Sequence, residues 1–197
     1  MVIAGVQLST GVRQGERKLT LDCMSLRTGT AFVFEEENIS YPELSRRVKQ
    51  RSKELGTLRR VVLIETASHP EPLITYLACV TGGHVALLVG AASPLHAGYS
   101  EIEAEYRPDS TMRRNATGSW DLTSNREVPL GELNSELSVL LSTSGSTGSP
   151  KMVKLSYDNL ESNAQAISQY LSLNTHDVTA TLLPWSYCYG LSVINSH

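Results

Sequence analysis

The chain has 197 residues, 41% hydrophobic and 19% charged, enough for one folded unit that buries about 70% of its unfolded surface. Seventeen basic and twenty acidic residues leave a net charge of −3 without long single-sign runs, which excludes the electrostatic footprint of a nucleic-acid binder. Cys23, Cys79 and Cys188 are far apart with no CxxC pair, and His69, His84, His96, His176 and His197 have no ligand spacing, so neither a disulfide framework nor a zinc site is expected.

Residues 1–10 lack the basic start and continuous apolar run of a secretory signal, and a cytoplasmic protein is expected. Residues 31–34 and 38–41 flank an acidic turn and read as a hairpin. The run Ser40-Tyr41-Pro42-Glu43 is a capping box that starts a helix with Leu44, Val48 and Leu55 on one face, ending near Gly56. Residues 61–65 (VVLIE) form a buried strand. Ser68-His69-Pro70-Glu71 repeats the cap pattern before a helix carrying Leu73, Tyr76, Leu77 and Val80, which Gly82 and Gly83 stop. Residues 76–98 come nearest to a membrane span, but Gly82, Gly83, His84, Pro94 and His96 interrupt them. A strand over 84–89 is expected instead, reached from the preceding strand by a right-handed crossover. Residues 90–136 yield a helix around 100–106, a short strand near Thr111 and polar loops. Strands follow at 138–141 and 152–155, then a helix capped by Ser156 and running to about Leu171 with Leu160, Ala164 and Ile167 on its inner side. A strand over 178–183 and a helix from Gly190 complete an α/β fold of alternating helices and mostly parallel strands.

The most informative segment is STSGSTGS, residues 142–149. Six of its eight residues carry hydroxyls, and Gly145 and Gly148 admit turns with positive φ, so N–H and O–H donors converge on one concavity suited to an anion. Lys151 follows Pro150 and adds a mobile positive charge, as a polyphosphate requires. The spacing is neither that of a Walker A loop nor that of GxGxxG. A flexible linker is the alternative, but linkers separate domains, whereas this segment joins two strands directly.

With its flanks, LLSTSGSTGSPKMVKLSYDNL, the segment resembles the phosphate-loop signature of the adenylate-forming enzymes: acyl- and aryl-CoA synthetases, nonribosomal adenylation domains and luciferases. Thr143, Ser144, Gly145, Ser146, Thr147, Gly148, Pro150 and Lys151 fall on the pattern TSG(T/S)TGxPKG, and Asn159-Leu160 on its Asn-Leu pair; Met152 stands at the usual glycine and Tyr157 at the usual histidine. Weaker matches occur in the family's order at 39–44 (ISYPEL), 76–89 (YLACVTGGHVALLV) and 183–191 (LPWSYCYGL), the last with Tyr187 at a usual histidine. The likeness covers roughly residues 29–197.

The resemblance implies ATP-dependent activation of a small carboxylic acid to an acyl-adenylate, then transfer to coenzyme A as co-substrate. It implies Thr143, Ser144, Gly145, Ser146, Thr147, Gly148 and Lys151 as the ATP-binding cradle, with the Thr147 hydroxyl toward Mg2+. It also implies Trp185, Tyr187, Tyr189 and Gly190 beside the acid pocket, where plain core aromatics are the alternative reading. No segment matches the family's YGxTE, ribose-binding or hinge motifs, so no catalytic residue is assigned and residues 1–197 are expected to be the N-terminal portion of the AMP-binding domain. The remainder of its own ligase fold is then its partner, and the chain alone is expected to be inactive. A nonribosomal-type adenylation domain and a noncatalytic phosphate-binding module remain as alternatives.

Overall fold

The computed structural model describes residues 1–4, 27–35, 37–90, 99–129, 131–142 and 152–197. In chain order its elements are β1 (Val2–Ala4), β2 (Thr30–Val33), β3 (Asn38–Ser40), α1 (Tyr41–Leu55), β4 (Val61–Thr66), α2 (Pro70–Gly82) and β5 (Val85–Gly90). There follow α3 (Tyr99–Tyr106), β6 (Ser110–Arg114), β7 (Trp120–Ser124), β8 (Leu137–Ser142), β9 (Met152–Ser156), α4 (Tyr157–Tyr170), β10 (Val178–Ala180) and α5 (Cys188–Ser196).

Strands β4 and β5 are apolar almost throughout and have no polar face, so they are stable only when covered on both sides. They lie parallel and adjacent, from Val61 opposite Val85 to Thr66 opposite Gly90. β6 joins outside β4 and β8 outside β5, both parallel, and antiparallel β7 and β9 form the edges of a six-stranded sheet ordered β7-β6-β4-β5-β8-β9. Alternate side chains enter two cores. Val62, Ile64, Ala86 and Leu88 face the side covered by α1, α2, α4 and α5, whereas Val61, Leu63, Val85 and Leu87 face Ile102 of α3. Each fully buried Val, Leu or Ile among them contributes about 1.5–3 kcal/mol.

The mostly parallel α/β sheet is the expected one, and a second sheet adds to it. β10, β1, β2 and β3 form a four-stranded antiparallel sheet in that order, bringing Ala31, Phe32 and Ile39 into the larger core. The expected hairpin is its β2–β3 pair. The strand expected over 178–183 is paired only at Val178–Ala180, because its partner β1 is just as short; Thr181 still donates to the Met1 carbonyl at 3.0 Å. β7, in a stretch read as polar loop, pairs with β6 from Ser110–Ser124 to Arg114–Trp120 across a turn that the Asn115 side chain holds together.

The helix starts follow local chemistry. The Ser40 hydroxyl accepts the Glu43 N–H at 3.3 Å, and Ser156 and Asn159 form a reciprocal capping box at 3.1 and 3.0 Å. The expected Ser68 cap is corrected: with Pro70 as the first helical residue of α2, the cap falls on His69, whose Nδ1 accepts the Glu71 N–H at 3.2 Å. Gly83, at φ 79° and ψ 19°, ends α2 in the left-handed region.

Glu71 instead binds across the helix pair. It pairs with Arg47 and, at 2.5 Å, with Arg51 of α1, while Arg51 also donates to the Thr75 hydroxyl at 2.8 Å. Both guanidiniums are mostly covered, at 18% and 13% exposure, so removing the carboxylate leaves each poorly solvated cation with one carboxylate partner, Glu37 at 3.0 Å for Arg47 and Glu54 at 2.9 Å for Arg51. Glu71→Ala is expected to destabilise the fold by about 2 kcal/mol in urea unfolding, below the value for a fully buried pair.

His84, at 1% exposure just before β5, accepts the Arg60 N–H on Nδ1 at 3.3 Å, and its Nε2 has no partner among the described residues. Burial, reinforced by the Arg60 and Arg59 charges, holds its pKa below the ordinary histidine value. The unfolded chain therefore binds a proton below about pH 6.5 that the folded chain refuses, and stability falls with pH until the lowered folded value is reached. Melting temperatures from pH 8 to pH 5 are expected to fall below about pH 6.5, and His84→Gln to remove that component, which is at most about 1.4 kcal/mol per pH unit.

Candidate functional site

The two ends of the parallel sheet differ in kind. At the amino ends, polar side chains stitch the strands together. Arg59 donates to the carbonyls of Gly83, Asn134 and Leu137, Arg60 to those of Leu55, Arg126 and Glu127, and the Asp109 carboxylate accepts the Val61 N–H at 2.8 Å. At the carboxyl ends lie Thr66, Gly90, Arg114 and Ser142. α2, which follows β4, covers one face and α3, which follows β5, the other, and in open α/β sheets with this arrangement ligands bind outside the carboxyl ends.

Ser142, the last residue of β8, pairs with Met152, the first of β9. The proposed cradle residues Thr143, Ser144, Gly145, Ser146, Thr147, Gly148 and Lys151 lie outside the described residues, but both ends of their segment are thus held at the carboxyl edge. Two contacts bind the exit. Met152 is half-buried against the α3-side core, and its N–H donates to the Tyr106 hydroxyl at 3.3 Å. Tyr106 escaped the sequence analysis; its signal is the stripe Tyr99, Ile102, Tyr106, spaced three and four residues apart along the inner side of α3.

Tyr157, at the usual histidine, lies at the other end of β9, five residues and about 16 Å from Met152. Its hydroxyl donates to the His84 carbonyl at 3.3 Å, at the amino end of β5. That departure sits away from the loop, whereas Met152 sits at the loop's exit.

The segment over 183–191 reaches the same carboxyl edge. The Trp185 indole N–H donates at 2.9 Å to the carbonyl of Ala67, the residue after β4. Trp185 is itself core, 3% exposed with its ring 5.8 Å from that of Tyr76. The Tyr76 hydroxyl donates to Asn195 of α5 at 2.8 Å, and burial raises its pKa, so it stays a neutral donor. Tyr187 and Tyr189, at 37% and 64% exposure, hold the outer surface of this turn. Trp185 and Gly190 thus face protein, and the two tyrosines face out.

Among the described residues no three His, Cys, Asp or Glu side chains cluster as metal ligands, and no helix is long and apolar enough to cross a membrane. Cys79 is buried and its thiol pKa is pushed up by that burial, which makes it a packing residue; Cys188 is exposed and Cys23 lies outside the described residues. Burial, with the Glu103 charge, pushes the Tyr99 hydroxyl up to about 12, so it too stays protonated.

An open, mostly parallel sheet with both motif segments at its carboxyl edge defines an α/β protein of the ligand-binding, doubly covered kind. The AMP-binding enzyme family matches over residues 100–196, and the chain is similar to adenylate-forming ligases. The D-alanine–D-alanyl carrier protein ligase of Bacillus cytotoxicus is 25% identical over 187 residues, covering 84% of this chain and 37% of that protein. Tyrocidine synthase 2 of Brevibacillus parabrevis is 26% identical over 174 residues, covering 75% of this chain and 5% of that one. The ATP-bound crystal structure of MatB from Rhodopseudomonas palustris matches with a TM-score of 0.65 at 26% identity, over 81% of this chain and 38% of MatB. The chain thus spans well under half the length of each.

Gly190 is the close-approach point of the 184–190 turn. A Cβ there would lie 2.5 Å from the Pro184 carbonyl oxygen and 2.8 Å from the Trp185 Cα, both backbone atoms that yield only if the turn shifts. Gly190→Ala is expected to destabilise the protein by about 3 kcal/mol, a melting decrease of about 6–12 °C by calorimetry.

Proposed function

We propose that this chain supplies the phosphate-binding edge of an enzyme that activates a small carboxylic acid with ATP, and that residues 1–197 are the N-terminal portion of its adenylation domain. A carboxylate oxygen attacks the α-phosphorus, the bond to the bridging oxygen breaks, pyrophosphate leaves and an acyl-adenylate forms. A thiol then takes the acyl group and releases AMP. The observation that carries this reading is the common edge: Ser142 and Met152 bracket the hydroxyl-rich loop there, and Trp185 ties the 183–191 segment to Ala67 at the same edge.

Negative charge grows on the departing pyrophosphate, so preorganised donors around it lower the barrier. Thr143, Ser144, Ser146 and Thr147 hydroxyls and the Gly145 and Gly148 amides are the proposed donors, with Lys151 adding positive charge. The hydroxyl oxygens suit a hard cation, and Mg2+ would be held through Thr147 and phosphate oxygens. Of the proposed pocket residues, Tyr187 and Tyr189 are the ones with surface to offer an acid; Trp185 and Gly190 shape the turn that carries them. Coenzyme A is the acceptor in the first reading, based on the PWSYCYG run. A carrier-protein thiol is the second, favoured by the likeness to a D-alanyl carrier protein ligase. A setting in fatty acid metabolism gains no support from these relatives. The cytoplasm is the proposed location, from the lack of a secretory-signal pattern in residues 1–10.

Calorimetric titration of Mg2+-ATP tests the cradle. The 197-residue protein is expected to bind weakly, and the Ser146→Ala, Thr147→Ala double variant to bind at least about 100-fold more weakly still, the loss of two hydrogen bonds to charged oxygens. Equal affinity in parent and variant would remove the cradle.

A further inference from the structure

Two opposite charges stand side by side at the carboxyl edge of the sheet, on its α3 side, without pairing. Glu65 is the penultimate residue of β4 and alternates with Val61 and Leu63, so it points to their side. Ile64 and Met112 lie opposite each other and face the other core, which sets Arg113 of β6 beside Glu65. Neighbouring strands run about 4.8 Å apart, close enough for the two side chains to share one ligand. Glu65 is only 9% exposed, and its carboxylate has no hydrogen bond or ion pair among the described residues. Arg113 is exposed and has no carboxylate partner among them either.

The other groups at this point do not complete the pair. Tyr99 opens α3, and burial, with the Glu103 charge, keeps its hydroxyl protonated; Arg113 lies near that hydroxyl, which is buried without an aligned hydrogen bond. Glu103, one turn further along α3, adds a second negative charge. Asp121 stands opposite Arg113 in β7 but accepts from the Asn115 Nδ2 at 2.7 Å instead. A carboxylate so far out of water is costly unless charged donors reach it. Drawing Arg113 inward would desolvate the guanidinium as well, and such a pair gains little net stability. The edge thus holds an anion without a cation and a cation without an anion, with a neutral hydroxyl in electrostatic reach of both.

The complement of that arrangement is an ammonium beside a carboxylate. We propose that Glu65, Tyr99 and Arg113 form a binding site for the head group of an α-amino acid, with its ammonium on Glu65 and its carboxylate on the Arg113 fork. Charge-assisted hydrogen bonds then hold the head group from both ends, and the Tyr99 hydroxyl donates to the bound carboxylate. All three residues lie outside 143–151, so the site stands whether or not that segment binds phosphate.

Glycine is the probe, because it is the head group alone, and acetate and methylammonium are its two halves. Each is titrated at low salt against the 197-residue protein, followed through the backbone amide signals of Glu65, Tyr99 and Arg113 by NMR. Glycine is expected to bind at least about tenfold more tightly than either half. Glu65→Gln is expected to weaken glycine about tenfold and leave acetate unchanged, and Arg113→Gln to weaken glycine about tenfold and leave methylammonium unchanged. Arg113 is exposed, so its variant keeps the fold and decides the matter even if Glu65→Gln is unstable. A parent protein that binds glycine no better than acetate or methylammonium overturns the proposal. So does glycine affinity that survives Arg113→Gln. If Glu65 and Arg113 close on each other in solution, the parent binds none of the three probes and Arg113→Gln lowers the melting temperature, which also overturns it.

Discussion

The demand for two-sided cover on β4 and β5 governs the rest of the structure. From Val61 to Ile64 and from Val85 to Val89 nearly every side chain is apolar and every one is buried, so neither face can meet water. One helix layer cannot satisfy both faces. The helix after β4 covers one face and the helix after β5 the other, the topology that in open α/β sheets places ligands outside the carboxyl ends. The amino ends are closed by Arg59, Arg60 and Asp109. Stability chemistry thus occupies the edge opposite the one that the motif segments reach.

Helix α1 is placed by a different device. Its inner stripe of Leu44, Val48 and Leu55 gives it a buried face but little to select its register against α2. The Glu71 carboxylate, held between Arg47 and Arg51, ties α2 to α1, while Glu37 and Glu54 complete the partners of the two guanidiniums. A half-covered ion network of this kind contributes modestly to net stability, and its geometry favours the packing that keeps all of its pairs.

Elements with local signatures were legible in the sequence. α1, α2 and α4 have an oxygen or nitrogen cap, apolar positions at helical spacing and, for α1 and α2, a terminal glycine; β4, β5, β8 and β9 are short apolar or alternating runs between turn signals. What escaped was long-range. β1 has three residues, lies near the opposite end of the chain from β10, and is a strand only because it pairs with β10 and β2. β7 reads WDLTS, too polar for a buried strand, and exists as an edge supported by β6 and by Trp120 stacking on His69 at 5.3 Å. The site was half legible: motif order identified both segments, but no periodicity in LPWSYCYGL distinguishes an inward Trp185 from an outward Tyr189. That distinction came from the indole N–H finding the Ala67 carbonyl across the fold.

The division of labour between a loop and its flanks follows from entropy. Ordering one residue costs about 1–2 kcal/mol of backbone freedom, so a nine-residue segment between Ser142 and Met152 cannot be held by its own small side chains without using the hydroxyls that a ligand needs. Anchoring chemistry therefore belongs outside the segment, on residues whose side chains reach a core. Met152 and Tyr106 meet that condition on one side, and the β8 run of Val139, Leu140 and Leu141 meets it on the other. Small polar residues serve poorly as core anchors, which explains why the segment with the least apolar content carries the clearest functional signature in the sequence.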